Sequence, residues 1–389
     1  MQRVEGGICA IEGVRACGVR EGRYGLALIA ASGAAAGMFT TNRVRAAPLA
    51  VTAEHLTLTG GHLDGIIANS GCANAYTGGQ GAKDARDMAS LLAGFLKTDE
   101  KRIAVASTGV IGRYMDMDLI SRLFEEAKGR LRSEAEASLE AERAIMTTDS
   151  REKEVAVEHR GLRVAGIVKG AGMIAPHMAT MLCFLFTDAD LSPEVLKVCL
   201  ADAVQDSFNM LTVDGDTSTN DTVILTATGR RQARVEDFQE ALRYVCTDLA
   251  RQMARDGEGA SRFFETRVTG ARSIEDARLA AKAVASSSLV KTAVYGADPN
   301  WGRIICALGY SGAEMDPELV TLGLEGAGQR VELVQRGRIA EGGLEKAREI
   351  MSEEEIVINI DLGLGTASAR SFGCDLTHEY VNVNASYTT

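Results

Sequence analysis

KGAGMIAPHMATMLCFLFTDA, Lys169 to Ala189, changes character at one residue, Thr180. On its N-terminal side stand Gly170, Gly172 and Pro176, a polar loop whose glycines let backbone approach a ligand closely. On its C-terminal side run Met181, Leu182, Cys183, Phe184, Leu185 and Phe186, an apolar stretch of the kind that forms a buried strand. Ala179 is small and leaves room for attack on its own carbonyl. A threonine here reads in two ways. It is a structural residue at a strand entry, or it is a nucleophile freed by self-cleavage of the Ala179–Thr180 bond. In the second reading Oγ attacks the Ala179 carbonyl and the peptide C–N bond breaks. Water then hydrolyses the resulting ester and leaves an N-terminal Thr180. That residue carries a nucleophile and, with an ordinary α-amine pKa of about 7.7–8, its own base. Lys169 ends an apolar strand, where a cation needs a partner or a role.

Outward from this segment, apolar spacing predicts strands at 26–31, 64–68, 164–168 and 222–228 and helices at 82–97, 117–131, 236–255 and 273–284. Ser192-Pro193-Glu194 carries a helix start: a capping hydroxyl, proline at the first position and an acid in the first turn. The acidic run 134–143 reads as an exposed helix. The last third alternates strands (319–324, 331–334, 356–362) with a helix at 344–351. Strands joined by short turns favour an α/β (α+β) fold of antiparallel or mixed sheets covered by helices over a doubly wound parallel sheet. The chain has 389 residues and no Pro- or Ser-rich linker, which suggests two domains, 1–285 and a smaller 286–389.

With 53 acidic against 42 basic residues the net charge is −11, which argues against nucleic acid or an anionic membrane as the main partner. Eight scattered cysteines without a CxxC pair read as reduced thiols of a cytoplasmic protein, and the five histidines show no metal-ligand spacing, so no metal is expected. The N-terminus lacks an apolar core for a signal peptide, and no stretch of about 20 apolar residues is present.

Other segments carry candidate chemistry. AVASTGVIG, Ala104 to Gly112, runs a strand into Ser107-Thr108-Gly109, where a hydroxyl and backbone N–H groups can stabilise an oxyanion or simply make a turn. Five loops dense in short polar side chains, at 67–79, 145–154, 211–222, 298–303 and 382–389, suggest a polar substrate. DLGLGTAS at 361–368 imitates a dinucleotide fingerprint but lacks its third glycine and any βαβ unit. Cys374 with His378, and His177, are weaker nucleophile and base candidates.

Taken in order, TTNRVRAAP, ANSGCANAYTG, ASTGVIG, IMTTDS, KGAGMIAPHMATML, DGDTSTNDT, DGEGA, GADPNWGRI and CDLTHEYVNVNASYTT make nearly the whole chain resemble the ornithine acetyltransferase (ArgJ) family of arginine biosynthesis. The resemblance implies an ArgJ/DmpA-like sandwich of mixed sheets between helices, with a smaller C-terminal domain whose tail returns to the active site. It implies cleavage at Ala179–Thr180 into chains 1–179 and 180–389, associated as an α2β2 heterotetramer. It implies a glutamate N-acetyltransferase: Thr180 takes acetyl from N-acetylornithine and passes it to glutamate, with Thr108 and Gly109 as oxyanion hole. Substrate contacts carried over by the motifs are Thr147, Lys169, Thr180, Glu258, Asn384 and Thr389. No cofactor is implied, and acetyl-CoA stays open as a second acetyl donor. Two rivals remain: an amidohydrolase or aminopeptidase using the same threonine, and a non-catalytic amino-acid-binding protein.

Overall fold

The computed structural model describes residues 1–175 and 181–386. The strands, in chain order, are β1 (Gln2–Arg3), β2 (Arg15–Glu21), β3 (Tyr24–Phe39), β4 (His62–Ser70), β5 (Ile103–Ser107), β6 (Glu154–His159), β7 (Leu162–Lys169), β8 (Leu182–Ala189), β9 (Leu211–Thr212) and β10 (Thr222–Arg231). They continue with β11 (Phe263–Ala271), β12 (Thr321–Gly326), β13 (Gln329–Gln335), β14 (Arg338–Ile339), β15 (Glu355–Asp361) and β16 (Ala367–Cys374). A nine-stranded sheet runs β1-β6-β7-β8-β10-β3-β4-β5, with β2 also on β3; a seven-stranded sheet runs β14-β13-β12-β15-β11-β16-β9. Both sheets are mixed. β8/β10, β4/β5, β11/β15 and β9/β16 pair in parallel and the rest antiparallel.

The long β3 makes the first sheet into two layers. Its first half lies between β2 and β4, its last residues pair with β10, and its register against β4 shifts between Ala30 and Gly33. The alternation of side chains across each strand then sorts three cores. Between the two layers lie Ala27, Ile29, Ile66 and Ala104 from one half and Ile167, Phe184 and Ile224 from the other. The opposite faces of β7, β8 and β10 put Val164, Cys183, Leu185 and Val223 under the helices Pro193–Gln205 and Val235–Arg255. The opposite faces of β3, β4 and β5 put Leu28, Ile67 and Val105 under the helices Gly78–Leu96 and Met117–Ala127. The result is helix, sheet, sheet, helix: the sandwich expected. The second sheet has its own core with the helices Ile274–Ser286, Ser288–Tyr295, Trp301–Gly309 and Leu344–Met351.

Local signals set many boundaries. Ser192 Oγ accepts from Val195 N–H at 3.4 Å with Pro193 following it. Asp276 N–H donates to Ser273 Oγ (3.1 Å), the capping bond, and that hydroxyl donates in turn to Asp276 Oδ2 (2.6 Å). Other expectations need correction. The second sheet takes strands from ahead of residue 286: β9 pairs with β16, and β11 pairs with both β15 and β16. Residues 382–386 are not loop but part of the helix His378–Ser386, and Trp301 opens a helix rather than sitting in a turn. The helix expected to end at 131 stops at Ala127 and continues as a short 3-10 turn.

The acidic helix, Ala135–Ile145, is not a solvated rod: Ala137, Ala141, Ala144, Ile145 and Glu142 are buried. Alanines at that spacing give little hydrophobic signal beside Glu136, Glu140 and Glu142. Glu142 Oε1 accepts the Lys153 backbone N–H, and Oε2 has no partner among the described residues. Burial pushes its carboxyl up to about 8, against the pull of that N–H and the Lys153 charge. The folded protein therefore holds a proton that the unfolded chain releases near its ordinary value. Stability should fall as pH rises from about 5 to about 8, by up to about 1 kcal/mol per pH unit, and level off above. Glu142→Gln should remove that slope and raise Tm above wild type at about pH 8.5 but not at about pH 5, as thermal unfolding at the two pH values will show.

Candidate active site

β7 ends and β8 begins side by side, and the turn after β5 meets them there, where the Lys169 amine reaches Thr108. The pocket there is lined by Thr108, Gly109, Thr147, Lys169, Glu258 and Asn384, among others. Six positions from distant parts of the sequence thus meet in one depression. Ala179, Thr180, Thr389 and His177 lie outside the described residues; Met181, next in sequence to Thr180, leads into β8.

The turn after β5 is built by buried amides. Ser107 Oγ donates to Asn69 Oδ1 (2.6 Å), and Asn69 Nδ2 donates to Cys72 O (3.0 Å). Asn220 Nδ2 donates to Ala73 O (2.7 Å) and Ser107 O (2.8 Å). Thr108 donates its own N–H to Asn69 O at 3.0 Å, so what it presents to the pocket is its hydroxyl. Gly109 sits at φ +127° with its Cα beside Gly71, where a Cβ would come within 2.4 Å of backbone carbon. Only glycine fits both the conformation and the space. The polar loops around 67–79 and 211–222 thus scaffold this turn, and Ala73, Ser218, Thr219 and Asn220 from them also line the pocket.

The glycine loop 170–175 is held by carboxylates and backbone on every side. Asp149 Oδ1 accepts Gly170 N–H at 2.5 Å. Asp214 accepts the N–H groups of Met173 (2.5 Å) and Ile174 (2.8 Å), which holds Met173 at φ +56°. Ala171 O accepts the Glu258 N–H at 2.8 Å, and Ile174 O that of Val213 at 2.8 Å. Gly172 faces the Glu258 carboxylate so closely that a Cβ would fall 2.2 Å from Cδ. Beyond the loop, Asp221 Oδ1 accepts Met181 N–H at 3.2 Å, and burial raises the Asp221 carboxyl well above the ordinary range.

Lys169 and Glu258 supply opposite charges. The Lys169 ammonium donates to Thr147 Oγ1 (2.9 Å) and Thr108 Oγ1 (3.4 Å) and stands 3.9 Å from Asp149. Burial pulls it below the ordinary lysine value, because its nearest carboxylate is not in hydrogen-bond contact. The Glu258 carboxylate accepts Asn384 Nδ2 at 2.8 Å. The tail reaches it because Asp375 takes the N–H groups of Ser261 (2.9 Å) and Arg262 (3.0 Å), and Thr377 Oγ1 donates to Gly259 O (2.7 Å).

Behind the pocket lies a buried charge cluster; Asp149 and Asp256 stand in the segments IMTTDS and DGEGA, but nothing in the sequence pairs them with Lys153. Lys153 Nζ bridges Asp149 (2.8 Å) and Asp256 (2.5 Å), all three side chains without solvent exposure. Burial would push the Asp149 carboxyl up, yet Lys169 and Lys153 outweigh it and hold it at about 2. Helical spacing ending at Arg255 marked where Asp256 falls, but not its partner on another element. Among the weaker candidates, Cys374 faces the Lys291 amine at 3.7 Å, and His378 instead packs against Tyr295. Among the described residues no group of His, Cys, Asp and Glu could hold a metal, and no helix is long and apolar enough to cross a membrane.

A four-layer sandwich with a two-signed polar pocket at its strand ends is the framework of an enzyme for small charged molecules. The model of the ArgJ family matches residues 12–389, and the chain belongs to that family. The glutamate N-acetyltransferase of Methanosarcina mazei is 50% identical, over 100% of both chains. The arginine biosynthesis bifunctional protein ArgJ of Archaeoglobus fulgidus is 50% identical over 98% of this chain and 100% of its own. The crystal structure of the arginine biosynthesis bifunctional protein ArgJ from Bacillus halodurans, 39% identical, aligns with a TM-score of 0.50 over 52% of this chain and 98% of that one.

Proposed function

We propose that this chain is a glutamate N-acetyltransferase that moves acetyl from N-acetyl-L-ornithine to L-glutamate through an ester on Thr180. The observation that carries the reading is the meeting of Thr108, Gly109, Thr147, Lys169, Glu258 and Asn384 at one pocket, with Gly172 and Met173 of the loop that precedes Thr180 in sequence. The full-length relatives named for this activity support it over the hydrolase. The same threonine first cuts the chain. A solved relative whose chain aligns over 98% of its length with only 52% of this one fits a two-chain product, and an α2β2 assembly is part of the reading.

In the first half-reaction the Thr180 α-amine takes the Oγ proton as Oγ attacks the acetyl carbonyl. The negative charge on the carbonyl oxygen goes to the Thr108 hydroxyl and the Gly109 N–H. The C–N bond breaks, the amine delivers the proton to the leaving nitrogen, and ornithine departs. Glutamate then attacks the ester with its amino group, and the same steps in reverse release N-acetylglutamate. Lys169 meets the α-carboxylate common to both substrates, with Thr147 and Thr389 beside it. Glu258, held by Asn384, meets the ammonium of ornithine.

Glu258→Ala should raise KM for N-acetylornithine at least about 10-fold and change kcat less, since a charge-assisted contact away from the reacting carbon is lost. Unchanged kinetics would place the ammonium elsewhere. The function itself is decided by mixing N-acetylornithine with and without glutamate. Ornithine release that needs glutamate for turnover supports transfer; rapid release without it supports a hydrolase. Adding acetyl-CoA and glutamate to the same assay tests the second activity suggested by the bifunctional name of the Archaeoglobus relative.

A further inference from the structure

Lys169 is the cation of the pocket wall, and its surroundings are unusual for a group that has to meet a carboxylate. Its amine contacts two hydroxyls, and the Asp149 carboxylate is at 3.9 Å. The charged groups acting on it are Asp149, Glu258 and Asp221, which favour its proton, and Lys153, which opposes it. Asp149 is the closest of these to appear as an ion pair. It also holds the backbone on both sides of the lysine's contacts: Oδ2 accepts the Thr147 N–H at 3.0 Å and Oδ1 the Gly170 N–H at 2.5 Å. Asp149 is itself shared with Lys153, whose other partner, Asp256, lies two residues before Glu258.

We infer that Asp149 is a positioning residue for Lys169: it keeps the buried amine charged and aims it, with the Thr147 hydroxyl, at the carboxylate of the substrate. Lys153 competes with Lys169 for the Asp149 charge and so sets how much of it Lys169 receives. This rests on the proposed role of Lys169 as the carboxylate contact. In an uncharged surrounding a buried lysine loses its proton. Asp149 offsets that loss, which a hydrogen-bonding side chain without charge cannot do.

The test is KM for glutamate against pH in the wild type, Asp149→Asn and Lys153→Met, each first shown to be folded and cut on a denaturing gel. Asp149→Asn keeps the shape and a hydrogen-bond acceptor but removes the charge. It should raise KM about 10-fold or more at neutral pH with a smaller change in kcat, and KM should return toward wild type as the pH is lowered and Lys169 regains its proton. The alkaline rise in KM should begin at least about one pH unit lower than in the wild type. Lys153→Met should move that rise the other way. A KM raised by one factor at every pH, or left unchanged, overturns the inference, as does a failure of Lys153→Met to shift the profile upward. If Asp149→Asn is not recovered folded, the Lys153→Met direction decides. The wild type alone gives an independent reading: in 15N-lysine NMR, with Lys169 assigned by its loss in Lys169→Met, the Lys169 amine should be protonated at neutral pH, and a neutral amine there refutes the assignment. That measurement needs no turnover. An absence of acetyl transfer would therefore sink the proposed function while leaving the Asp149–Lys169 pairing to be judged separately.

Discussion

Thr180→Ala will run as a single uncut chain and transfer no acetyl group. Both losses have one cause. In the proposed mechanism cleavage uses Oγ as the nucleophile on the Ala179 carbonyl, and transfer uses the same Oγ as the acetyl carrier, with the α-amine that cleavage would expose as its base. No neighbouring group can substitute for a hydroxyl and an amine on one residue. The fall in kcat/KM should be at least about 10⁴-fold, the scale on which removal of a nucleophile acts. A denaturing gel reads the first loss and ornithine release the second. Thr180→Ser keeps both functional groups and should retain partial cleavage, which separates loss of chemistry from loss of fold. A cut Thr180→Ala chain would refute the mechanism outright.

Lys169→Met is expected to produce the second-largest effect, on substrate affinity. The lysine side chain is 3% exposed, so its ammonium works in a desolvated setting where a charge-assisted contact to a carboxylate is worth several times its value in water. Removing one partner of such a pair costs about 2–5 kcal/mol. KM for both N-acetylornithine and glutamate should rise about 30-fold or more, because both carry the α-carboxylate. Methionine fills the space of the lysine stem, and Asp149 keeps Lys153 at 2.8 Å, so the fold should persist with a Tm close to wild type. Steady-state kinetics with each substrate varied in turn decides this. A change below about 3-fold for both would remove Lys169 from the carboxylate site.

Much of the fold could be read along the chain because it rests on local periodicity. The helix expected at 236–255 is Val235–Arg255, and the strand expected after Met181 is β8. Reading failed where the signal was weak or non-local. Ala137, Ala141 and Ala144 bury a face that acidic neighbours mask, and β11 belongs to the second sheet only because the distant strands β15 and β16 pair with it. Of the site, Thr108, Lys169 and Glu258 were accessible through motifs. Asn69, Asn220 and Asp149 lie in such motifs too, but no role could be read for them there. Their work is to satisfy buried donors and acceptors, and that depends on what becomes buried.

What the sequence by itself determined is what covalent order determines: a small residue, then a hydroxyl, between a glycine loop and an apolar strand, at 179–181. Tertiary structure alone decided the electrostatics. Lys153 pairs with Asp256 across 103 residues, and Lys169 meets Thr108 across 61. A lysine in an extended chain is solvated and unperturbed. Here packing removes its water and leaves Asp149 as the nearest ion-pair partner, so burial and long-range pairing, neither of which has a sequence period, set the charge that the pocket presents.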